Sequence, residues 1–157
     1  MRELFSVVAG VIVVIFASSY VCASPSDDAK KFLEVRMAEA SKELAKLPAQ
    51  EIFDCHGVSD MNVRLTDVSD KGNYFSRMRV LGIWKKALDS KLEAEPSIYA
   101  GLFRNSGATK IIMNPEGDGE DVRAYLIEHD PVCRQKLRSA FNVVRDRDML
   151  RRSKVGK

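Results

Sequence analysis

Long apolar runs are scarce in this sequence. Only Val7 to Phe16 forms an unbroken one, and no second run of comparable length follows it. We therefore expect no other segment to span a bilayer. The sequence also has no glycine-rich phosphate loop, no N-glycosylation sequon and no internal repeat. It thus gives no support to a P-loop nucleotide-binding protein, an N-linked glycoprotein or a solenoid.

Neither sign of charge dominates the chain. The net charge of +3 is too small to predict a polyanionic partner. Basic residues gather in Arg145 to Lys157, but Asp146 and Asp148 dilute them, and no aromatic side chains interleave to stack on bases. We expect a fraying helix end there, with residues 151–157 as a loose basic tail, and no nucleic acid as partner.

The segment Leu4 to Ala23 has the features of a secretory signal peptide. A short basic start precedes the apolar run, and small residues follow it. Val21 and Ala23 occupy the two positions where a signal peptidase prefers small side chains. Residues 1–23 are therefore predicted to be removed after Ala23, which leaves an exported protein of the periplasm or the extracellular space.

Two other interpretations of this segment stay open. At about twenty residues it is long enough to cross a bilayer, so an uncleaved membrane anchor is an alternative. Cys22 suggests a lipoprotein, but Ser19 and Val21 stand where a lipid-attachment signal needs a leucine-like residue and a small one. Cleavage is the prediction that we favour, because serines and a polar stretch follow the apolar run.

The mature chain has the length of one domain, which we assign to residues 24–150. Its composition, 45% hydrophobic and 30% charged in the whole sequence, is typical of a globular protein. If Cys22 leaves with the signal peptide, Cys55 and Cys133 remain in a compartment where thiols oxidise. We therefore predict a disulfide between Cys55 and Cys133.

Two other chemistries use the same cysteines. Zinc would accept four ligands, and the residues available for it are Cys55, His56, His129 and Cys133. A thiol hydrolase would need Cys55 unpaired beside a base such as His56 or His129. Adjacent residues do not easily point at one ion or hydrogen-bond to each other, so the disulfide is favoured and no cofactor is expected.

The apolar residues recur at helical spacing over most of the chain, so we predict an all-α fold of about five helices. The clearest helix begins after Ser26 and ends at Pro48, and another covers Tyr74 to Glu93. Between them we expect one helix that stops at Gly57 and a second from Ser59 to Val68. The second could also be a strand, since its periodicity fits both.

The second half of the chain continues the helical pattern. A short helix is expected over Ile98 to Phe103, and Thr109 to Met113 is expected to be extended because it is rich in β-branched residues. Helices are then predicted from Glu120 and from Asp130, where Pro131 suits a first helical turn.

No catalytic motif is specific, so function is predicted from general features. The leading hypothesis is a small exported binding protein, such as an inhibitor, an immunity-type protein or an accessory subunit, which contacts another protein. Tyr74, Trp84 and Tyr99 are the candidate core or interface aromatics. The alternatives are an exported hydrolase, using Glu51 or Asp54 with Glu128 or the Cys–His pair, and a membrane-tethered envelope component.

Overall fold

The computed structural model describes residues 26–114, 117 and 119–155, and all of its regular structure is helical. The predicted all-α fold is thus confirmed for these residues. The segment predicted to be a signal peptide, its predicted cleavage site and the last two residues lie outside them. The α-helices are α1 (Asp27–Leu44), α2 (Ala49–Arg64), α3 (Lys71–Ala94), α4 (Tyr99–Asn105), α5 (Gly107–Ile112) and α6 (Gly119–Val155), with a 3₁₀ turn at Pro96–Ile98 before α4.

Short polar side chains fix where three of these helices begin. Ser26 accepts a hydrogen bond from the Ala29 N–H, Asp70 from that of Asn73, and Ser106 from that of Thr109. Each satisfies a backbone donor that has no partner within its helix. The cap at Ser106 is followed by a helical turn, so the prediction of an extended segment over 109–113 is wrong.

Helix α2 is the centre of the fold, and it packs against both α3 and α6. Helix α1 packs against α6 and α3, while α4 and α5 cover one side of α2. The core is formed by buried apolar residues from these helices, with Leu44, Ile52, Val58 and Trp84 the largest fully buried apolar side chains. Burial of this surface is the main favourable contribution to folding.

Gly57 lies inside α2 and does not end a helix as predicted. A Cβ atom at this position would stand 2.5 Å from the Cβ of Ala108, which is itself buried on α5. Glycine therefore lets α5 approach the backbone of α2. The contact is between distant parts of the chain, so it is invisible to the local pattern that suggested a helix stop.

Replacing Gly57 by alanine is expected to destabilise the fold by about 1–3 kcal/mol, the usual cost of inserting an extra carbon into a close contact. The matched change is Gly82→Ala on α3, where nothing lies within 4 Å of the added Cβ. That variant should gain stability, up to about 1 kcal/mol, because alanine favours a helix over glycine. Urea unfolding of both variants gives the comparison, and a gain at Gly57 would contradict the close packing of α2 and α5.

Helix α6 does not begin at Asp130, and it includes Pro131 in its interior. Asp130 was predicted to cap a new helix. Its carboxylate instead accepts hydrogen bonds from Asn62 at 2.9 Å and from Arg134 at 2.6 Å. Pro131 removes only one backbone N–H from the helix. Contacts with α1, α2 and α5 hold α6 on either side of this point.

The C-terminal part of α6 is also more ordered than the sequence suggested. The stretch from Arg145, expected to be a fraying helix end with a loose tail from residue 151, is helical as far as Val155. Arg147 forms ion pairs with Glu39 and Glu43 of α1, and Asp148 pairs with Arg36 at 3.3 Å. These contacts fix the end of α6 along α1, in an antiparallel arrangement.

Candidate functional site

The predicted disulfide between Cys55 and Cys133 is confirmed. It joins the middle of α2 to the middle of α6, with the two Cα atoms 5.4 Å apart and a sequence separation of 78. Both cysteines are buried in the core. A disulfide of this kind is typical of proteins from oxidising, exported compartments. No helix in the described part of the chain is long and apolar enough to cross a membrane.

The four candidate zinc ligands do not form a metal site. The sulfur atoms of Cys55 and Cys133 are bonded to each other, so neither is a thiolate ligand or a nucleophile while the bridge is intact. His129 packs its ring on Tyr125 at a centroid distance of 4.1 Å. Within residues 26–114, 117 and 119–155, no group of three or more metal-ligating side chains is gathered in one place.

His56 lies partly buried between α2 and α3. Burial lowers the pKa of its imidazole, the attraction of Asp60 opposes this effect, and the positive charge of Lys85 adds to it. The folded protein therefore holds His56 neutral at a pH where the unfolded chain would protonate it.

This difference predicts how stability depends on pH. Between the folded and unfolded pKa values the unfolded chain binds more protons, so the free energy of unfolding falls as pH drops below about 6.5. We expect urea midpoints to decrease from about pH 7.5 to about pH 5.5, and to decrease less in the variant His56→Asn. Equal decreases in both proteins would show that His56 is not responsible.

The three aromatic residues singled out in the sequence have different surroundings. Trp84 is fully buried and belongs to the core. Tyr74 is half-buried and meets the ring of Phe75 edge-on. Tyr99, at the start of α4, is 50% exposed. Of these three residues, Tyr99 is therefore the one whose ring has a large accessible surface.

Tyr99 and Phe103 form what we call the α4 aromatic pair. They stand one helical turn apart with ring centroids 6.3 Å from each other, and Phe103 is 40% exposed. Underneath, the buried ring of Phe53 meets Tyr99 edge-on at 6.0 Å. Phe53 precedes the disulfide cysteine Cys55 by two residues, so the pair rests close to the point where α2 is bonded to α6.

The carboxylates proposed for a hydrolase are partly brought together. The carboxylate of Glu51 is occupied by an ion pair with Lys136. Burial, and after it the negative charges of Asp54 and Glu128, together raise the pKa of Tyr125 to about 12. His129 packs on the Tyr125 ring, and the carboxylates of Asp54 and Glu128 are near enough to Tyr125 for their charges to act on its hydroxyl. Tyr125 was not among the predicted site residues, because its place beside Asp54 depends on how α6 packs on α2.

A second polar site was not anticipated from the sequence at all. It is a cleft of about 220 Å³ where α2, α3 and α6 meet. We call it the arginine cleft, because three arginines line it: Arg77, Arg134 and Arg138. A single carboxylate, that of Asp130, lines it as well, together with Asn62, Asn73 and two serines. These residues come from three distant segments, so only the tertiary structure reveals that they share a site.

The fold and these sites define a class: an all-α, disulfide-bonded helical domain with an exposed aromatic pair and a basic cleft. No protein-family model matches the chain, and neither a curated protein nor a solved structure resembles it significantly. Function must therefore be argued from the molecule's own surface.

Proposed function

We propose that this is an exported binding protein that acts through protein–protein contact, and that the α4 aromatic pair is the centre of its contact surface. The observation that carries the proposal is an exposed aromatic pair mounted on a buried, disulfide-linked helix. The chain has many charged residues of both signs and a net charge of only +3. Such a mixture of charges suits recognition of another folded surface.

Physical reasons favour such a pair as a binding anchor. Large aromatic side chains dominate binding energies because each buries much apolar area and has few rotatable bonds. Tyr99 already rests against Phe53, so less conformational freedom is lost when a partner covers it. The Tyr99 hydroxyl also provides a polar group that suits the edge of an interface.

Capture of partners from the envelope or secreted fraction tests this proposal. Wild type, Tyr99→Ser, Phe103→Ser and Ile127→Ser would be used side by side, because Ile127 is an apolar residue of α6 that is 78% exposed. We expect a partner retained by wild type and Ile127→Ser and lost from both variants of the α4 aromatic pair. Identical retention by all four proteins would reject the pair as the contact surface.

Export and processing are tested by mass measurement of the protein recovered from those fractions. The proposal requires a chain that begins at Ser24 and is two hydrogen masses lighter than its reduced form. A chain that retains residues 4–23 would instead support the membrane-tethered alternative.

The cluster of Asp54, Tyr125, Glu128 and His129 supports an exported hydrolase as a second candidate function. General acid–base catalysis needs two groups of this kind around one substrate bond. If the protein hydrolyses a glycan, Asp54→Asn and Glu128→Gln should each slow it by about 100-fold or more. Glu34→Gln, at an exposed position on α1, should be unaffected. A rate that is the same in all four proteins would reject this candidate.

A further inference from the structure

The arginine cleft contains two guanidinium groups that are fixed by hydrogen bonds. Arg77 donates from Nη1 to the backbone and side-chain oxygens of Asn62, at 2.9 and 3.1 Å, and from Nε to Asn73 at 3.2 Å. Arg134 donates from Nε to Asp130, whose other oxygen accepts from Asn62. This network joins α2, α3 and α6, so the two arginines are held in place before any ligand arrives.

Each of these arginines also has N–H groups that the hydrogen bonds just described do not use. The hydrogen bonds of Arg77 leave its Nη2 group without an acceptor, and those of Arg134 leave both of its terminal nitrogens without one, as far as the described residues extend. Terminal guanidinium nitrogens are the groups that bind carboxylate or phosphate oxygens in pairs.

The third arginine differs from the other two. Arg138 is exposed on α6, one helical turn after Arg134, and it makes no ion pair with any residue in the described ranges. Two like charges at this spacing repel each other. Elsewhere on the helices many cations are matched by a nearby acid, as in Lys42 with Glu39 and Lys85 with Asp89.

The cleft therefore carries a surplus of two positive charges, from three arginines against one carboxylate. Val80 and Leu137 also line it, and such apolar surface strengthens electrostatic attraction by keeping water away. Its volume of about 220 Å³ is far more than the 10–15 Å³ that one water needs. That space suits a small molecule or one chemical group.

We propose that the arginine cleft binds a small oxyanion, a phosphate or carboxylate group, between Arg134, Arg138 and the free end of Arg77. The anion would relieve the repulsion between Arg134 and Arg138, and Asn73 and Ser76 would supply polar contacts at the rim. This site is independent of the α4 aromatic pair, so either proposal can fail without the other.

Calorimetric titration of the disulfide-bonded protein with sodium phosphate, sodium succinate and sodium chloride at equal ionic strength tests the site. We expect saturable binding of phosphate or succinate that exceeds any effect of chloride. Binding of phosphate alone assigns the site to phosphate groups, and binding of succinate alone assigns it to carboxylates. Heats no larger than those of chloride would overturn the proposal.

The matched variants are Arg138→Gln and Arg123→Gln, which remove the same charge from two exposed positions on α6. Arg138 has no partner to lose, so its variant should fold normally and bind about tenfold more weakly or worse, the effect of one hydrogen bond to a charged group. Arg123→Gln should bind like wild type. Equal weakening in both variants would indicate general charge attraction and reject the site.

A second readout follows the arginines directly. In NMR spectra, the Nε–H signals of Arg77 and Arg134 should shift as the anion is added, while that of Arg104, hydrogen-bonded to the Ala100 carbonyl on α4, should not. Shifts of all three signals together would contradict a defined cleft.

Discussion

Replacing Cys55 and Cys133 together by alanine is expected to lower the free energy of unfolding by about 4.5 kcal/mol. The bridge closes a loop of 78 residues, and chain-entropy treatment of a loop that long gives this value as an upper figure. Domains of this size are usually stable by only about 5–15 kcal/mol. The variant should therefore lose a large part of its stability, which urea unfolding would measure.

Reduced wild-type protein provides the control for this experiment. It lacks the bridge but keeps both buried side chains, so any difference between it and the double variant reports the packing of the cysteines. A loss below about 1 kcal/mol in reduced wild type would show that the bridge contributes little, and that the helices alone hold α2 against α6.

Replacing Trp84 by alanine is expected to cost about 3–5 kcal/mol, the usual effect of removing a large buried aromatic side chain. Trp84 is 0% exposed and is the largest of the fully buried side chains in the core. The matched change on the same helix is Phe75→Ala, whose side chain is 59% exposed and should cost much less.

Circular dichroism suits this comparison, because Trp84 is the only tryptophan and its removal abolishes tryptophan fluorescence. Unfolding midpoints of the two variants would be compared with that of wild type. A cost for Trp84→Ala no greater than that for Phe75→Ala would contradict the position of Trp84 at the centre of the core.

Sequence patterns predicted α1, α3 and the disulfide because these depend on local or countable features, whereas they divided the longest helix, α6, at Asp130. The apolar spacing of α1 and α3 is visible along the chain, and Cys55 and Cys133 have only each other as partners if the predicted cleavage removes Cys22. The error at Gly57 has the opposite cause. Its role depends on Ala108, which is remote in sequence, and the local tendency of glycine to end helices was overruled by tertiary contact.

The candidate sites were predictable only in part for the same reason. Tyr99 could be identified as an aromatic residue on a short helix, but its exposure and its support by Phe53 depend on how α4 lies on α2. The arginine cleft could not be predicted, because its residues come from three helices that are distant in sequence. Asp130 was interpreted as a helix cap, whereas its carboxylate connects Asn62 to Arg134.

The antiparallel contact of α1 with α6 has a consequence for how the molecule is made. Ribosomes deliver the chain from its N-terminus, so α1 is complete long before Arg147 and Asp148 exist to pair with it. Cys55 likewise cannot form its disulfide until Cys133 has been synthesised. Contacts between such distant segments are slow to form, and until they do, the apolar surface that α1 and α2 present to α6 stays uncovered. Folding of this small domain is therefore expected to be completed only after synthesis of its last helix, which leaves a period in which a chaperone has surface to bind.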